Sequence, residues 1–455
     1  MFSFTSLKEL ATQEKIEFVD FKATDLIGCW RHITIPISRF TQHLIENGIP
    51  FDGSNFGYTN VEGSDMVLRP DLNTATIVCY SGERVLSLIC DIHLAEGKGP
   101  FVGDPRAVAR RAEQFLISEG IAETVMMSAE FEFYVFSQAD YNSNAIEAFY
   151  TLSPMNKHTE RSFYHICPPE DQLFALRNEI CRRLERMGVS VKYHHHEAGP
   201  LGQLEIELGF DSLLRMADTT LIVKNTARNV AVEFGLTATF MPKPILGENG
   251  NGMHVHQYLA SKGKSIFEKD EGLSELGLLY IGGILSHGRS LLALTNPSTN
   301  SYCRLVPGYE APVSLTFGEG NRSAAIRIPS YATPQQRRIE LRTVDATCNP
   351  YLAYAGMLMA GIDGIKHNLN AEKLGFGPYN QDLYDLSTEE TRKIEQVPDN
   401  LATALSALEE DHDYLTVGGV FNVKQIAHWI EAKKDELNQI RRRPHPYEFS
   451  LYYNL

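Results

Sequence analysis

The segment Val125-Met126-Met127-Ser128-Ala129-Glu130-Phe131-Glu132-Phe133-Tyr134-Val135-Phe136 is apolar and aromatic apart from its two glutamates. In a strand, residues two apart share a face, so Glu130 and Glu132 point into one space. Carboxylates held that close repel, and their pKa values rise unless a cation lies between them. A single Glu-x-Glu is more often the wet face of an amphipathic strand. Here the pattern recurs, in His194-His195-His196-Glu197, Gln203-Leu204-Glu205-Ile206-Glu207, Gly252-Met253-His254-Val255-His256 and Arg337-Arg338-Ile339-Glu340-Leu341-Arg342. Acidic and imidazole groups in several strand-like segments point to a shared ligand. Carboxylate oxygens suit Mg2+ or Mn2+, and a histidine among them leans towards Mn2+. Zinc more often draws on thiolates, and no cysteine lies in these segments.

Arginines form the second theme. Arg304, Arg322, Arg327, Arg337, Arg338 and Arg342 all fall between Asn300 and Asp345. A guanidinium fork matches carboxylate and phosphate oxygens bidentately. Arg337 suits a solvated surface, whereas Arg327 and Arg342 alternate with apolar residues and do not. Divalent cations combined with arginine clamps are what phosphoryl transfer requires. The chain has no GxxxxGK[ST] loop and no kinase signature set, so the P-loop and kinase classes are excluded. A hydrolase is disfavoured too, since no nucleophile elbow or cysteine–histidine arrangement is visible.

These groups need a large scaffold, and the chain has one. Its 455 residues can bury a sizeable core and divide into two domains. With 42 Lys plus Arg against 57 Asp plus Glu, the formal charge of −15 argues against a nucleic-acid or membrane-surface binder. Seven scattered cysteines read as reduced packing residues, and no stretch has the make-up of a signal peptide or a membrane span, so the expected address is cytoplasmic. Ile16–Ala23 and Trp30–Ile35 read as a hairpin about Thr24–Gly28, and Arg84–Ile92 as a further strand. The Gly/Pro-punctuated stretch 96–100 then separates a small domain, residues 1–100, from a large one, 101–455. In the second, Asp104-Pro105 opens a helix that Gly120 ends. Further helices are expected over Glu170–Met187, Ser212–Phe234 and Pro350–Ile365, the last of them buried, and around Ile426–Leu437. The class is α+β.

Long ordered motifs then make a family resemblance plain. They are Phe51-Asp52-Gly53-Ser54, Ser64-Asp65-Met66, Glu130-Phe131-Glu132, His194-His195-His196-Glu197, Met241-Pro242-Lys243-Pro244 and Asn249-Gly250-Asn251-Gly252-Met253-His254, followed by Asn300–Pro312, Asn321-Arg322-Ser323 and Arg338-Ile339-Glu340-Leu341-Arg342. From Phe18 to Leu455 the chain resembles the bacterial type I glutamine synthetases. The resemblance implies a β-grasp N-terminal domain, then a catalytic domain with a curved antiparallel sheet flanked by helices. It implies an ATP-dependent ligation of ammonia to L-glutamate through γ-glutamyl phosphate. One metal would be held by Glu132, Glu197 and Glu205, the second by Glu130, His254 and Glu340. Arg304 and Arg342, with the backbone at Asn249 and Gly250, would grip glutamate. Arg322 and Arg327 would face the transferred phosphoryl group, and His256, Arg338 and Phe210 the nucleotide. Asp52 would take the proton from ammonium in a pocket shared with Asp65, Tyr164 and Glu197, and Glu310 would sit on a loop that closes over the site. The family's sites lie between subunits of hexameric rings stacked as a dodecamer, so Asp52 would serve the adjoining subunit. The apolar tail Tyr447–Leu455 would reach the opposite ring, and the segment Asp382–Leu386 resembles one that some members adenylylate on its tyrosine, here Tyr384. The loop from Asp52 to Asp65 is one residue shorter than the common form, and Gln335, Tyr258 and Thr343-Val344 also depart from it. These departures keep a γ-glutamyl-amine ligase on the same scaffold open as an alternative, and a catalytically silent homologue is a weaker one because no ligand is missing.

Overall fold

The computed structural model describes residues 2–58, 64–95, 97, 99–155, 162–270, 272–309, 311–387, 389 and 392–455. Helix α1 (Phe4–Gln13), capped by Ser3, precedes a five-stranded sheet. Its strands are β1 (Phe18–Thr24), β2 (Trp30–Pro36), β3 (Ile49–Asp52), β4 (Asp65–Tyr80) and β5 (Glu83–Leu94), with helix α2 (Gln42–Asn47) between β2 and β3. The order is β2-β1-β5-β4-β3, antiparallel except for the parallel pair β1–β5. The expected hairpin and the strand at 84–92 are both present; α1 lay outside the sequence reading because its apolar face is short.

Helix α3 (Pro105–Ser118) follows, with Asp104 accepting from the Arg106 N–H and Gly120 at φ +66° just past the end. Then come β6 (Thr124–Ser143), β7 (Ala148–Pro154), α4 (Phe174–Arg186), β8 (Val191–His196), β9 (Gln203–Leu208), β10 (Asp211–Ser212), α5 (Leu213–Glu233), β11 (Thr237–Thr239), β12 (Met253–Ser261), β13 (Lys264–Ser265), α6 (Glu275–Ser286), α7 (Gly288–Thr295), α8 (Ser301–Arg304), β14 (Ser314–Glu319), β15 (Ala324–Ile328), β16 (Ile339–Leu341) and α9 (Pro350–Lys366). Helices at Leu401–Glu410, Val423–Arg441 and Pro446–Tyr452 complete the chain. Helix α4 starts at Phe174 rather than at Glu170, because Asp171 is not a cap: its carboxylate binds the buried Arg177 guanidinium.

The second sheet has eleven strands, with the path β14-β15-β16-β12-β6-β9-β8 and β7, β10, β11 and β13 attached to its flanks. All its pairings are antiparallel except β14–β15. One face of β6 presents Val125, Met127, Ala129, Phe131, Phe133 and Val135, all buried, and α5 packs on it. The other face carries Glu130 and Glu132. Helix α9 is buried on nearly every side, as its composition predicts, and is capped by Asn349. Asn349 also donates to the Leu26 carbonyl at 3.0 Å, tying the β1–β2 turn to α9.

A buried guanidinium joins the small sheet to the helices of the large domain. Arg106 on α3 donates through Nε and Nη2 to the two Asp218 oxygens on α5, both at 2.9 Å. It also reaches Asp71 on β4 at 2.9 Å and Asp91 on β5 at 2.5 Å. Tyr351 on α9 donates to Asp218 at 2.7 Å. Removing the cation strands the fully buried Asp218 carboxylate, which costs far more than the intact cluster contributes. Arg106→Met should therefore destabilise the chain by about 3–5 kcal/mol, read as a lower urea midpoint at an unchanged slope. An unmoved midpoint would show that the cluster does not tie the small sheet to the helices.

Candidate active site and metal centre

Strand register brings the acidic residues together. On β6, Glu130 lies opposite His254 of β12 on one side and Glu207 of β9 on the other. Glu132 lies opposite Glu205, which lies opposite His195 of β8. Glu340 of β16 lies opposite His256 and, across the other edge, Arg327 of β15. Directly opposed residues share a face, so three rows across the sheet deliver their polar ends to one side. Glu197 joins them from just beyond β8.

The side chains converge accordingly. His254 Nδ1 lies 3.1 Å from Glu130 and 3.8 Å from Glu340, and its Nε2 lies 3.7 Å from Glu132. His256 Nε2 lies 2.7 Å from the other Glu130 oxygen. His195 Nε2 lies 3.2 Å from Glu205. Among the described residues, three groups have ligand atoms within 4.8 Å of one another: Glu130, His254 and Glu340; His195, Glu197 and Glu205; and Glu130, Glu207 and His256.

The electrostatics divide the site in two. Burial drives the Glu197 carboxyl up to about 9, reinforced by Glu132 and Glu205. Glu205 is also pushed well above the carboxylate range, by burial and then by Glu130 and Glu132. On the far side, burial opposes ionisation of Glu340, yet Arg342 beside it holds it at about 2. Arg342 donates to Glu340 at 2.6 Å and Arg327 at 2.7 Å. Burial opposes ionisation of the half-buried Glu130 too, and the neighbouring His256 and His254 keep it well below the usual range. The donor set of carboxylates and imidazole fits hard divalent cations, and Glu197 and Glu205, unlike Glu340, are raised by their neighbouring carboxylates.

A cavity of about 470 Å³ opens over these residues. Arg304, Arg322, Arg327 and Arg342 line it together with Asn249, Gly250, Tyr164 and Tyr309. Arg304, on α8, is buried and donates to the carbonyls of Thr343 (2.8 Å) and Arg342 (3.0 Å). The 249–252 turn is tied down by Tyr134 to the Asn249 carbonyl (2.8 Å) and Gln203 to the Gly250 carbonyl (2.9 Å). Gly250 must lack a side chain, since a Cβ there would meet the Pro242 carbonyl at 2.6 Å and Arg304 Cγ at 2.7 Å. Beside the cavity, Arg338 sits 5.8 Å from the Phe210 ring and 5.2 Å from Tyr331. Its Nε and that of Arg327 are buried with no hydrogen-bond partner among the described residues, as donors awaiting an anion would be.

Two expected residues stand elsewhere. Asp52 and Asp65 face one another across β3 and β4, and neither lines the cavity of its own chain. Asp52 is held ionised chiefly by the Ser54 hydroxyl and N–H. Glu310 lies outside the described residues. Glu207 and His195 join the site without having been assigned a place in it. Their signal was available, since Glu207 stands two residues from Glu205 and His195 two from Glu197.

The chain matches the family model described as glutamine synthetase, catalytic domain, over residues 102–452, and that described as glutamine synthetase, beta-Grasp domain, over residues 15–95. It belongs to the glutamine synthetase family. A glutamine synthetase of Nostoc sp. is 43% identical over 470 residues, covering 97% of each chain. The cryoEM structure of Plasmodium falciparum glutamine synthetase superposes with a TM-score of 0.90 at 27% identity, over 100% of this chain and 99% of that one. A GmaS/ADP complex superposes with a TM-score of 0.84 at 27% identity, over 99% of each. The five-stranded sheet is thus the family's β-grasp unit, and the glutamate-lined face belongs to its catalytic domain.

A raised carboxyl pKa is also a stability statement. Glu197 binds its proton more tightly folded than unfolded, so the folded chain is favoured at low pH and loses that advantage as pH rises from about 4.5 to about 9. The metal-free protein should therefore melt at lower temperature at pH 8.5 than at pH 6. Added Mg2+ should restore more of the loss at the higher pH, and Glu197→Gln should flatten both trends. A metal-free melting temperature that rises across this range would contradict the assignment; calorimetry at several pH values reads it.

Proposed function

We propose that this chain ligates ammonia to L-glutamate at the expense of ATP, forming L-glutamine, ADP and phosphate through γ-glutamyl phosphate. The observation that carries the reading is the single cavity wall on which a carboxylate–histidine cluster meets four arginines. Family membership names the reaction that such a wall serves. ADP in the complex of a structural relative supports a nucleotide as a ligand of this fold, and the Arg338–Phe210 pair beside the cavity is the place we assign it.

Arg304 and Arg342, with the backbone at Asn249 and Gly250, hold the carboxylates of glutamate. Arg322 and Arg327 face the phosphoryl group in flight, and His256, Arg338 and Phe210 flank the nucleotide. Glu132, Glu197 and Glu205 hold one Mg2+ or Mn2+ ion; Glu130, His254 and Glu340 hold a second. Bound there, the ions neutralise phosphate oxygens and let five carboxylates share one space. Transfer of the γ-phosphoryl group to the side-chain carboxylate turns a poor leaving group into a good one. Ammonium binds near Tyr164, Asp65 and Glu197, loses a proton to Asp52 and attacks the acyl phosphate. Glu310 belongs to the loop that keeps water out.

Asp52 stands outside its own chain's cavity, which favours a site completed by the neighbouring subunit. Assembly has further support in exposed apolar surface. The terminal helix leaves Tyr447, Phe449, Leu451 and Tyr452 exposed, and the β6–β7 hairpin leaves Tyr141, Ile146 and Tyr150 exposed. Such surface is costly in water. The reading is a cytoplasmic dodecamer of two rings, each chain divided into domains 1–100 and 101–455, with no nucleic-acid or membrane partner. No helix among the described residues is long and apolar enough to cross a membrane.

Steady-state assays with ATP, glutamate and a panel of ammonium, methylamine, ethanolamine and putrescine test the reaction. Ammonium should give the highest kcat/KM; preference for an organic amine would make the chain a γ-glutamyl-amine ligase instead. Asp52→Ala should keep ATP binding and lose roughly two to four orders of magnitude in glutamine formation. Parent-like turnover of that variant would remove Asp52 from the mechanism. Deleting Tyr447–Leu455 should break ring pairing, halving the mass seen by light scattering, and an unchanged dodecamer would sink that part.

A further inference from the structure

The loop that follows Arg304 turns through Gly308, at φ +95° with open space around it, and brings Tyr309 to the wall of the cavity. Among the described residues, no hydrogen bond from 307–309 fixes it there. The described residues on either side of position 310 are instead each gripped by a side chain from a distant segment. On one side, the Lys243 ammonium lies 3.8 Å from the centroid of the Tyr309 ring. On the other, the Tyr384 hydroxyl donates to the Ala311 carbonyl at 2.5 Å.

Both grips are rooted in the site. The Lys243 N–H donates to Asn300 Oδ1 at 2.7 Å, and Asn300 Nδ2 donates back to the Lys243 carbonyl at 3.1 Å. Asn300 immediately precedes α8, which carries Arg304. The Lys243 ammonium also donates to the Glu248 carbonyl, next to the Asn249–Gly250 turn. On the opposite side, Asn321 donates to the carbonyls of Tyr379 and Gln381, both at 2.8 Å. The Leu383 N–H donates to Ser323 Oγ at 3.0 Å, so the Tyr384 segment is pinned to the residues flanking Arg322. Partial burial lowers the Lys243 pKa, and Glu248 beside it opposes that shift.

We infer that Lys243 and Tyr384 are positioning residues that hold the loop at Tyr309 and Ala311 against the cavity, so that the acyl phosphate meets the amine in place of water. The inference rests on the ligase reading above. Neither side chain is among the carboxylates and histidine proposed to hold metal, and neither lines the cavity, so each acts through the loop.

The test measures phosphate released against glutamine formed in the full-length enzyme. The parent should release about one phosphate per glutamine, and Lys243→Met and Tyr384→Phe about two or more, with KM for glutamate and ammonium raised more than the rate of phosphate release falls. Lys243→Arg keeps a cation on the Tyr309 ring and should restore coupling. The double variant should fall short of the combined single effects, since both act on one loop. Mg2+ affinity, titrated calorimetrically, should stay at the parent value in every variant. Hydrogen exchange supplies a reading independent of catalysis: amides in 305–312 should exchange about tenfold faster in both single variants, with exchange in the sheet unchanged. Parent-like coupling and exchange in both single variants would overturn the inference, and so would a parallel fall in Mg2+ affinity. If the parent made no glutamine, the ligase reading would fail, and loop exchange would still decide whether the two side chains hold it.

Discussion

Five carboxylates and an imidazole brought within a few ångströms of each other are the constraint on which the architecture depends. Glu197 at about 9 and Glu340 at about 2 are the two ends of that constraint. On one side Arg327 and Arg342 balance the charge with covalently attached cations; on the other the balance must come from a bound one. Carboxylates that repel cannot assemble themselves, so their geometry has to be imposed by something stronger. The antiparallel ladders impose it. Glu130 and Glu132 on β6, Glu205 on β9 and Glu340 on β16 sit in strands paired on both sides, α5 packs on the apolar face of β6, and Glu197 follows directly from β8.

A face this polar needs an unusually rigid support behind it, and the helices supply it. Helix α9 is buried along almost its whole length, and its cap, Asn349, reaches the turn between β1 and β2. The Arg106 cluster joins β4 and β5 of the small sheet to α3 and α5 of the large domain, with Tyr351 of α9 closing it. The small domain is therefore locked to the catalytic one through buried charge and hydrogen bonds, and not only through apolar contact. This matters because Asp52 sits on the far edge of the small sheet. If Asp52 is to serve a neighbouring subunit, the position of that edge has to be set to within a hydrogen-bond length.

The loops are fixed differently. They cannot use ladders, so they are tied by individual side chains: Tyr134 and Gln203 to the Asn249–Gly250 turn, Asn300 to Lys243, and Tyr384 to Ala311. Single ties are weaker than ladders and release more easily. That suits segments that have to admit substrate, while the sheet beneath them holds still.

What the sequence determined by itself was local and periodic. The alternation of glutamates with aromatic residues at 130–133 and with aliphatic ones at 204–208 made those segments strands and showed which side chains share a face. Asp104-Pro105 with Gly120 marked one helix by the chemistry of its ends, and the apolar run over Pro350–Ile365 marked another as buried. Ordered motifs named the family. The tertiary structure alone decided which acid faces which, because strand order and register depend on contacts between residues far apart in the chain. It set Glu130 between His254 and Glu207, gave Glu197 and Glu340 opposite protonation from similar composition, and left Asp52 away from its own chain's cavity. It also paired Lys243 with Tyr309 and Tyr384 with Ala311. Those contacts join segments 66 and 73 residues apart, and no period along the chain can announce them.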